Sequence, residues 1–290
     1  MKIGFIGYNK NIKRIIDQIN KSRNLSLSGI YSLENDQNKS VTLNQQEITS
    51  QSDIIYISEE ETEFSLCRHA LKASKHLFFE SPFIFSISEF RELFELAKES
   101  DSLIHFNQYF LNQPIHKKIA KLSPGIMNCQ ISSPTEKNEK KEQKHYIFQL
   151  ISIIQNIKKT GIRKISAHPD SDKKDQYMLL LIQFDNGLAV STVINSICKE
   201  NEFRIQALQQ NQHHKIDLLK HEIITHQLKV KQNQTEINKQ QFKSKENLFF
   251  EEIKHFLTLI SSKDEKPVTI KEKSEEIMEL THKVMEAIES

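Results

Sequence analysis

Four groups of residues have types and spacings that could do chemistry. Gly7 opens the run Gly7-x-Asn9-x-x-Ile12, directly after the short apolar stretch Lys2–Gly7. That is the place of a G-x-G-x-x-G fingerprint. Its first glycine makes a tight turn, its second lets a dinucleotide pyrophosphate approach the backbone, and its third lets helix and strand pack closely. Here the first glycine alone is present. Asparagine tolerates a left-handed backbone, so the turn can survive. The Asn9 side chain, however, takes space a phosphate would use, and Ile12 replaces close approach with apolar packing. The run reads better as a strand-to-helix turn than as a phosphate cradle. The second group is Ser58-Glu59-Glu60-Glu61-Thr62-Glu63. Acidic residues in a first helical turn complement the helix dipole, and Ser58-x-x-Glu61 has capping-box spacing, so a structural role outweighs a catalytic or metal one. Third, Glu80-Ser81-Pro82 sets a serine beside a carboxylate. A nucleophilic serine needs a base and oxyanion donors, and the local sequence supplies no histidine with an orienting acid. Fourth, His213, His214, His221 and His226 lie in a Gln/Lys-rich stretch without acidic or cysteine partners at ligand spacing. They read as part of an exposed sheet face, and no metal is expected. The sequence contains no Walker loop, G-x-S-x-G elbow or H-E-x-x-H.

The elements around these groups alternate. Apolar residues at Ile12, Ile15, Ile16 and Ile19 have helical spacing, and 25–31 reads as a second strand. "DIIYIS" at 53–58 is a buried-type strand, followed by a helix over 60–73. His76–Phe79 is a strand, and Ser86-x-x-Glu89 opens a capped helix that runs to about Glu99, before a strand at 103–107. Strands alternating with helices predict a doubly wound parallel sheet. Past Pro114 the texture changes. A short helix, a strand near 126–132 and a helix over 145–158 precede strands at 164–167, 177–184, 188–197 and 203–208. Asp185-Asn186-Gly187 is a hairpin signal. Strand-like fragments at 216–219 and 227–230 lead to two closing helices, 246–261 and one opened by Thr269-x-x-Glu272. The fold class expected is α/β: a Rossmann-type domain over 1–115, then an α+β domain with a mostly antiparallel sheet over 116–290.

Bulk properties exclude several classes of function. Lys and Arg number 40 against 38 Asp and Glu, so no global field calls for nucleic acid or an anionic membrane. No apolar run approaches the roughly 20 residues of a membrane span. Cys67, Cys129 and Cys198 are far apart and read as reduced thiols in a cytoplasmic protein. Only 6 glycines occur, where about 20 are usual at this length, which weighs against a glycine-rich phosphate cradle.

The stretch "DIIYISEEETEFSLCRHALKASKHLFFESPFIFSISEFRELFELAKE", with the opening "KIGFIGYN", resembles the glucose–fructose oxidoreductase / inositol dehydrogenase (Gfo/Idh/MocA) family. The order of strand, helix, A-[GS]-K-H turn, strand ending in E-K-P and next helix is similar. The resemblance implies a Rossmann domain, a C-terminal sheet domain whose open face often builds dimers, and, in active members, NAD or NADP with hydride transfer at a sugar or polyol carbon. It also assigns positions. The family lysine of E-K-P is Ser81, too short and not basic, although Glu80 and Pro82 remain. The family's helix histidine falls on His145, but the acid four residues earlier is Lys141, and the Asp often found three residues later is Phe148. The cofactor positions fall on Gly7, Asn9, Ile12, Ser32, Ser58 and Glu80. Ser32 is compatible with NADP, yet no arginine follows it.

Three departures coincide: Ser81, Lys141 and the pair Asn9/Ile12. They favour an eroded site with no cofactor expected, in a non-catalytic binding or regulatory partner. The alternative is an active NAD(P)-dependent oxidoreductase of a sugar or polyol-like substrate, using Lys144 or His145 to transfer the proton. A homodimer is expected through the C-terminal sheet, whose open face would present Leu179, Leu181, Val190 and Val193. Another protein partner or a small molecule between the domains is also compatible; nucleic acid and membrane are not.

Overall fold

A computed structural model describes residues 1–32, 43–58, 63–81, 85–107, 114–133, 139–157, 160–169, 177–231, 234–244, 248–262 and 267–289. The elements in chain order are β1 (Lys2–Ile6), α1 (Lys10–Ile19), β2 (Ser26–Tyr31), α2 (Gln45–Gln51), β3 (Ile54–Ile57), α3 (Phe64–Lys72), β4 (His76–Phe79), α4 (Ile87–Glu99) and β5 (Ile104–Phe106). They continue with α5 (Pro114–Ile119), β6 (Ile126–Ser132), α6 (Glu139–Ile157), β7 (Ile162–Pro169), β8 (Tyr177–Phe184), β9 (Ala189–Asn195), β10 (Glu202–Gln209), β11 (Gln212–Asp217), β12 (Glu222–Lys231), β13 (Gln234–Lys243), α7 (Leu248–Ser261) and α8 (Pro267–Glu289). By contacts the chain forms two compact units. One is Met1–Gln108 with Asn247–Met278, and the other is Tyr109–Glu246 with Glu279–Ser290.

The first unit holds a five-stranded parallel sheet in the order β2-β1-β3-β4-β5. Its inner strands are buried on both faces, which is why β3 is apolar at every position. On one face, Ile12, Ile15, Ile16 and Ile19 of α1 and Ile253, Phe256 and Leu259 of α7 pack with Phe5, Tyr56 and Phe78. On the other, Phe90 of α4 meets Phe79 and Phe106 at ring-centroid distances of 5.8 and 4.9 Å. The capping box of α4 is present as expected, with Ser86 and Glu89 satisfying each other's backbone N–H groups. A second box, Asn44 with Glu47, starts α2, a helix the apolar pattern did not disclose.

Two helix starts differ from expectation. The helix expected from Glu60 begins at Phe64, with Glu63 as an N-cap that makes no side-chain bond. Ser58 instead ends β3, wholly buried, and Glu59–Thr62 lie outside the described residues. Thr269 does not cap α8, because the helix already runs from Pro267. Proline suits a first helical position, where its missing N–H has no intrahelical partner to lose.

The second unit holds an eight-stranded sheet, β13-β12-β11-β10-β6-β9-β8-β7, antiparallel except for β6 with β9. The Asp185-Asn186-Gly187 hairpin joins β8 to β9, and Gly187 takes the positive φ of 85° such a turn requires. Strands β12 and β13 pair over ten residues as a long hairpin; the polar sequence of β13 had concealed it. One face of the sheet is buried, and Tyr146 of α6 meets Phe203 of β10 there. The other carries exposed Tyr177, Leu179, Leu181 and Val193. Val190, expected with them, is buried on the opposite face, as strand alternation requires with Ile194. No helix among the described residues is long and apolar enough to cross a membrane.

Candidate functional site

The strands of the first sheet deliver a row of polar residues at their carboxyl ends. Gly7 follows β1 with φ 89°, a backbone region L side chains rarely adopt, and its N–H donates to the Tyr31 carbonyl at 2.8 Å. Ser58 follows β3, and its N–H donates to the Ile6 carbonyl at 2.9 Å. Glu80 and Ser81 follow β4, and Glu80 N–H donates to the Ile57 carbonyl at 2.9 Å. Asn107 follows β5, its N–H donating to the Phe79 carbonyl at 2.8 Å. All four of Ser58, Glu80, Ser81 and Asn107 are buried. In open α/β sheets this crevice, beside the point where strand order reverses between β1 and β3, is where ligands bind.

Asn9 dominates the geometry. Its Oδ1 accepts the Ile12 N–H at 3.0 Å, and its carbonyl accepts the Lys13 N–H at 3.0 Å, so Asn9 caps the start of α1. Its Nδ2 donates to both oxygens of Glu80, at 3.0 and 3.3 Å. The N–H groups of such a helix start are what a bound phosphate ordinarily uses. Here the protein's own carboxamide serves one of them and fixes a carboxylate beside it. Ile12 is fully buried in the apolar cluster, which completes the substitution of packing for close approach. A pyrophosphate does not fit this arrangement as it stands: the second glycine position carries a side chain bonded to Ile12 and Glu80, and Ile12 fills the third.

The remaining candidates divide between the units. Ser32 lies half-buried just past β2. His145 sits on α6 of the second unit, with Gln149 Nε2 at 3.5 Å from its Nε2. Burial pushes its imidazole from the ordinary 6.5 down to about 4, so the ring is neutral at pH 7. Lys141 is one turn earlier on the same helix, with its side chain outside the described residues, and Lys144 is half-buried. Phe148 is fully buried, where an acid would have little water. Among the described residues no group of three or more His, Cys, Asp or Glu could hold a metal ion. The Cys67 and Cys129 thiols are buried and pushed up to about 12, leaving them unreactive as nucleophiles.

Residue patterns did not disclose the Asn9–Glu80 bond, the buried Asn107, or the buried pair His105 Nε2–Glu252 Oε2 at 3.1 Å. For Asn9 a signal was present: asparagine is a preferred N-cap, and it stands just before the apolar period of α1.

Residues 1–108 match the model of the GFO_IDH_MocA family, an oxidoreductase family with an NAD-binding Rossmann fold. Comparison with curated proteins finds no match. Several solved structures share the fold along the whole chain. UDP-N-acetylglucosamine 3-dehydrogenase GnnA from Acidithiobacillus ferrooxidans is 14% identical, with a TM-score of 0.81 over 100% of this chain and 99% of that one. Biliverdin reductase from Synechocystis sp. PCC 6803, in complex with biliverdin and NADP+, is 14% identical, with a TM-score of 0.68 over 99% and 98%. GenD2 from gentamicin A biosynthesis, in complex with NAD, is 9% identical, with a TM-score of 0.72 over 100% and 94%. The N-terminal 108 residues of this chain thus match the Gfo/Idh/MocA oxidoreductase family model, and the whole chain shares the fold of dehydrogenases.

Proposed function

We propose that this protein keeps the oxidoreductase fold but has given up its cofactor and catalytic sites, and works as a non-catalytic binding or regulatory partner in a reduced, cytoplasmic setting. One observation carries the reading: the Asn9 side chain caps α1 and holds the Glu80 carboxylate at the place where the family fingerprint leaves room for pyrophosphate. Ser81, buried and without a basic group, supplies no proton relay in place of the family lysine.

A second reading has its own support. The family match over the Rossmann domain and the retained Gly7 turn favour an active NAD(P)-dependent oxidoreductase of a sugar or polyol-like substrate. In that reading the neutral His145, or Lys144, would accept the proton. Titration of the purified protein with NAD+, NADH, NADP+ and NADPH, by calorimetry and nicotinamide fluorescence, separates the two. The expected result is no saturable binding. A dissociation constant below ~100 μM for any of the four overturns the first reading and promotes the second.

A further inference from the structure

The open face of the second sheet is not uniform. Toward β8 and β9 it presents exposed Tyr177, Leu179, Leu181 and Val193. Toward β10–β13 it forms a groove of about 720 Å³, within the roughly 300–1,000 Å³ range of small-molecule sites. Ladder register sets its composition. Ile126 lies opposite Leu208, Leu208 opposite His213, and His213 opposite His226 in one row across β6, β10, β11 and β12. Beside that row, Leu228 lies opposite Ile237. The four aliphatic side chains are 38–68% exposed, far more than their apolar area favours in water. The polar groups among them are all basic or neutral: His213, His226 and Lys215 line the groove with several amides, and no acidic residue among the described residues lines it. Lys239, opposite His226, adds a second cation at the rim. The two imidazoles face each other with ring centroids 6.0 Å apart. His213 Nε2 is shut off from solvent and has no hydrogen-bond partner among the described residues. Desolvation, then the charge of Lys215, hold that imidazole below its ordinary range, so at pH 7 it is a neutral hydrogen-bonding group and Lys215 carries the charge.

Apolar walls with the positive charge of Lys215 and Lys239 beside them match one ligand chemistry. We propose that this groove binds an amphipathic anion, its apolar body against Ile126, Leu208, Leu228 and Ile237 and its carboxylate at His213, His226 and Lys215. A second copy of the chain fits the groove less well. A two-fold contact centred there would set Lys215 and Lys239 against their own equivalents. The test is calorimetric titration at pH 7.5 with dodecanoate and, as a control of equal chain length and opposite charge, dodecyltrimethylammonium. The expected result is one saturable dodecanoate site, with the ammonium at least tenfold weaker. Lys215→Glu and Ile237→Lys, both at accessible positions, should each weaken dodecanoate at least tenfold while leaving the circular dichroism spectrum unchanged. No saturable binding, equal binding of the two amphiphiles, or binding indifferent to both substitutions would overturn the proposal. So would an Ile237→Lys protein that becomes monomeric in light scattering while the natural dimer ignores dodecanoate, because a second copy would then fill the groove.

Discussion

At the scale of single residues, Asn9 has a double role, capping α1 and holding Glu80. Its two hydrogen-bonding ends point to different parts of the chain, Ile12 and Glu80, and both would have to let go before a phosphate could enter. Asn9→Ala should therefore cost about 1 kcal/mol of stability, the usual loss for an N-cap, read as a lower denaturant midpoint. It should not confer dinucleotide binding, because Ile12 still fills the third glycine position. Ser81→Lys tests the catalytic position in the same way. It returns one basic group but leaves Asn9, Glu80 and Ile12 in place, and hydride transfer first requires a held cofactor. We expect Ser81→Lys to bind none of the four nicotinamide forms below ~100 μM. Saturable binding by that variant alone would show that the lysine, not the cradle, was limiting.

Among the elements, α7 and α6 carry the informative strain between burial and polarity. Helix α7 follows the second sheet in sequence yet belongs to the first unit, where Glu252 reaches His105 on β5. The imidazole stacks on Phe256 at 5.3 Å and lies 5.2 Å from Phe78. A carboxylate this far from water is costly without its partner. His105→Leu should destabilise the protein by about 3 kcal/mol, and the double replacement with Glu252→Leu should recover most of that loss, since an apolar pair of similar size needs no compensation. Equal losses in single and double variants would deny the coupling. On α6, His145 titrates with a folded value of about 4 against 6.5 in the unfolded chain. The unfolded state then binds more protons below pH 6.5, so stability falls as pH drops from about 6.5 to about 4 and changes no further through this group. His145→Gln should flatten that part of the stability curve, measured as urea midpoints between pH 7.5 and 4.5. An unchanged slope would mean that the ring is not buried as described.

For the whole molecule, the open sheet face raises the question of assembly. The β8–β9 end presents Tyr177, Leu179, Leu181 and Val193 in register, with Leu179 directly opposite Val193. Gln183, Ser191 and Asn195 beside them carry no charge, and exposed Lys164 and His168 of β7 border them opposite Gln183 and Leu179. An apolar centre with charge confined to its edge suits an isologous contact, since a two-fold axis through β8 and β9 keeps that edge away from its own equivalent. We expect a homodimer at micromolar concentration by light scattering. Leu181→Asp should yield a folded monomer, because the position is already accessible and the substitution buries a charge only in the dimer. A clean monomer for the natural protein would refute this assembly.

Much of the architecture was legible because it is dictated locally. Uninterrupted apolar runs such as Ile54–Ile57 must be buried on both faces, and parallel sheets do that. Ser86 with Glu89, and Asp185-Asn186-Gly187, fix a helix start and a hairpin from residues within four positions of each other. Helix α2 and strand β13 escaped notice because their sequences are mostly polar: burial of Ile48 and ten ladder pairs, rather than an apolar period, hold them. The side on which Val190 falls was legible all along, since it stands an odd three residues from Val193 and alternation puts the two on opposite faces whatever the register. The site itself was legible as a set of missing groups: two glycines, a lysine and an acid. What replaced them was not legible. Asn9 and Glu80 are 71 residues apart, and His105 and Glu252 are 147 apart. Sequence alone determined the fold class and the departures from the family's glycine, lysine and acid positions, because both rest on short-range pattern. The Asn9–Glu80 bond, the return of α7 to the first sheet and the basic, apolar groove on the second were decided by tertiary structure, because each is made of side chains that strand order and register bring together across the chain.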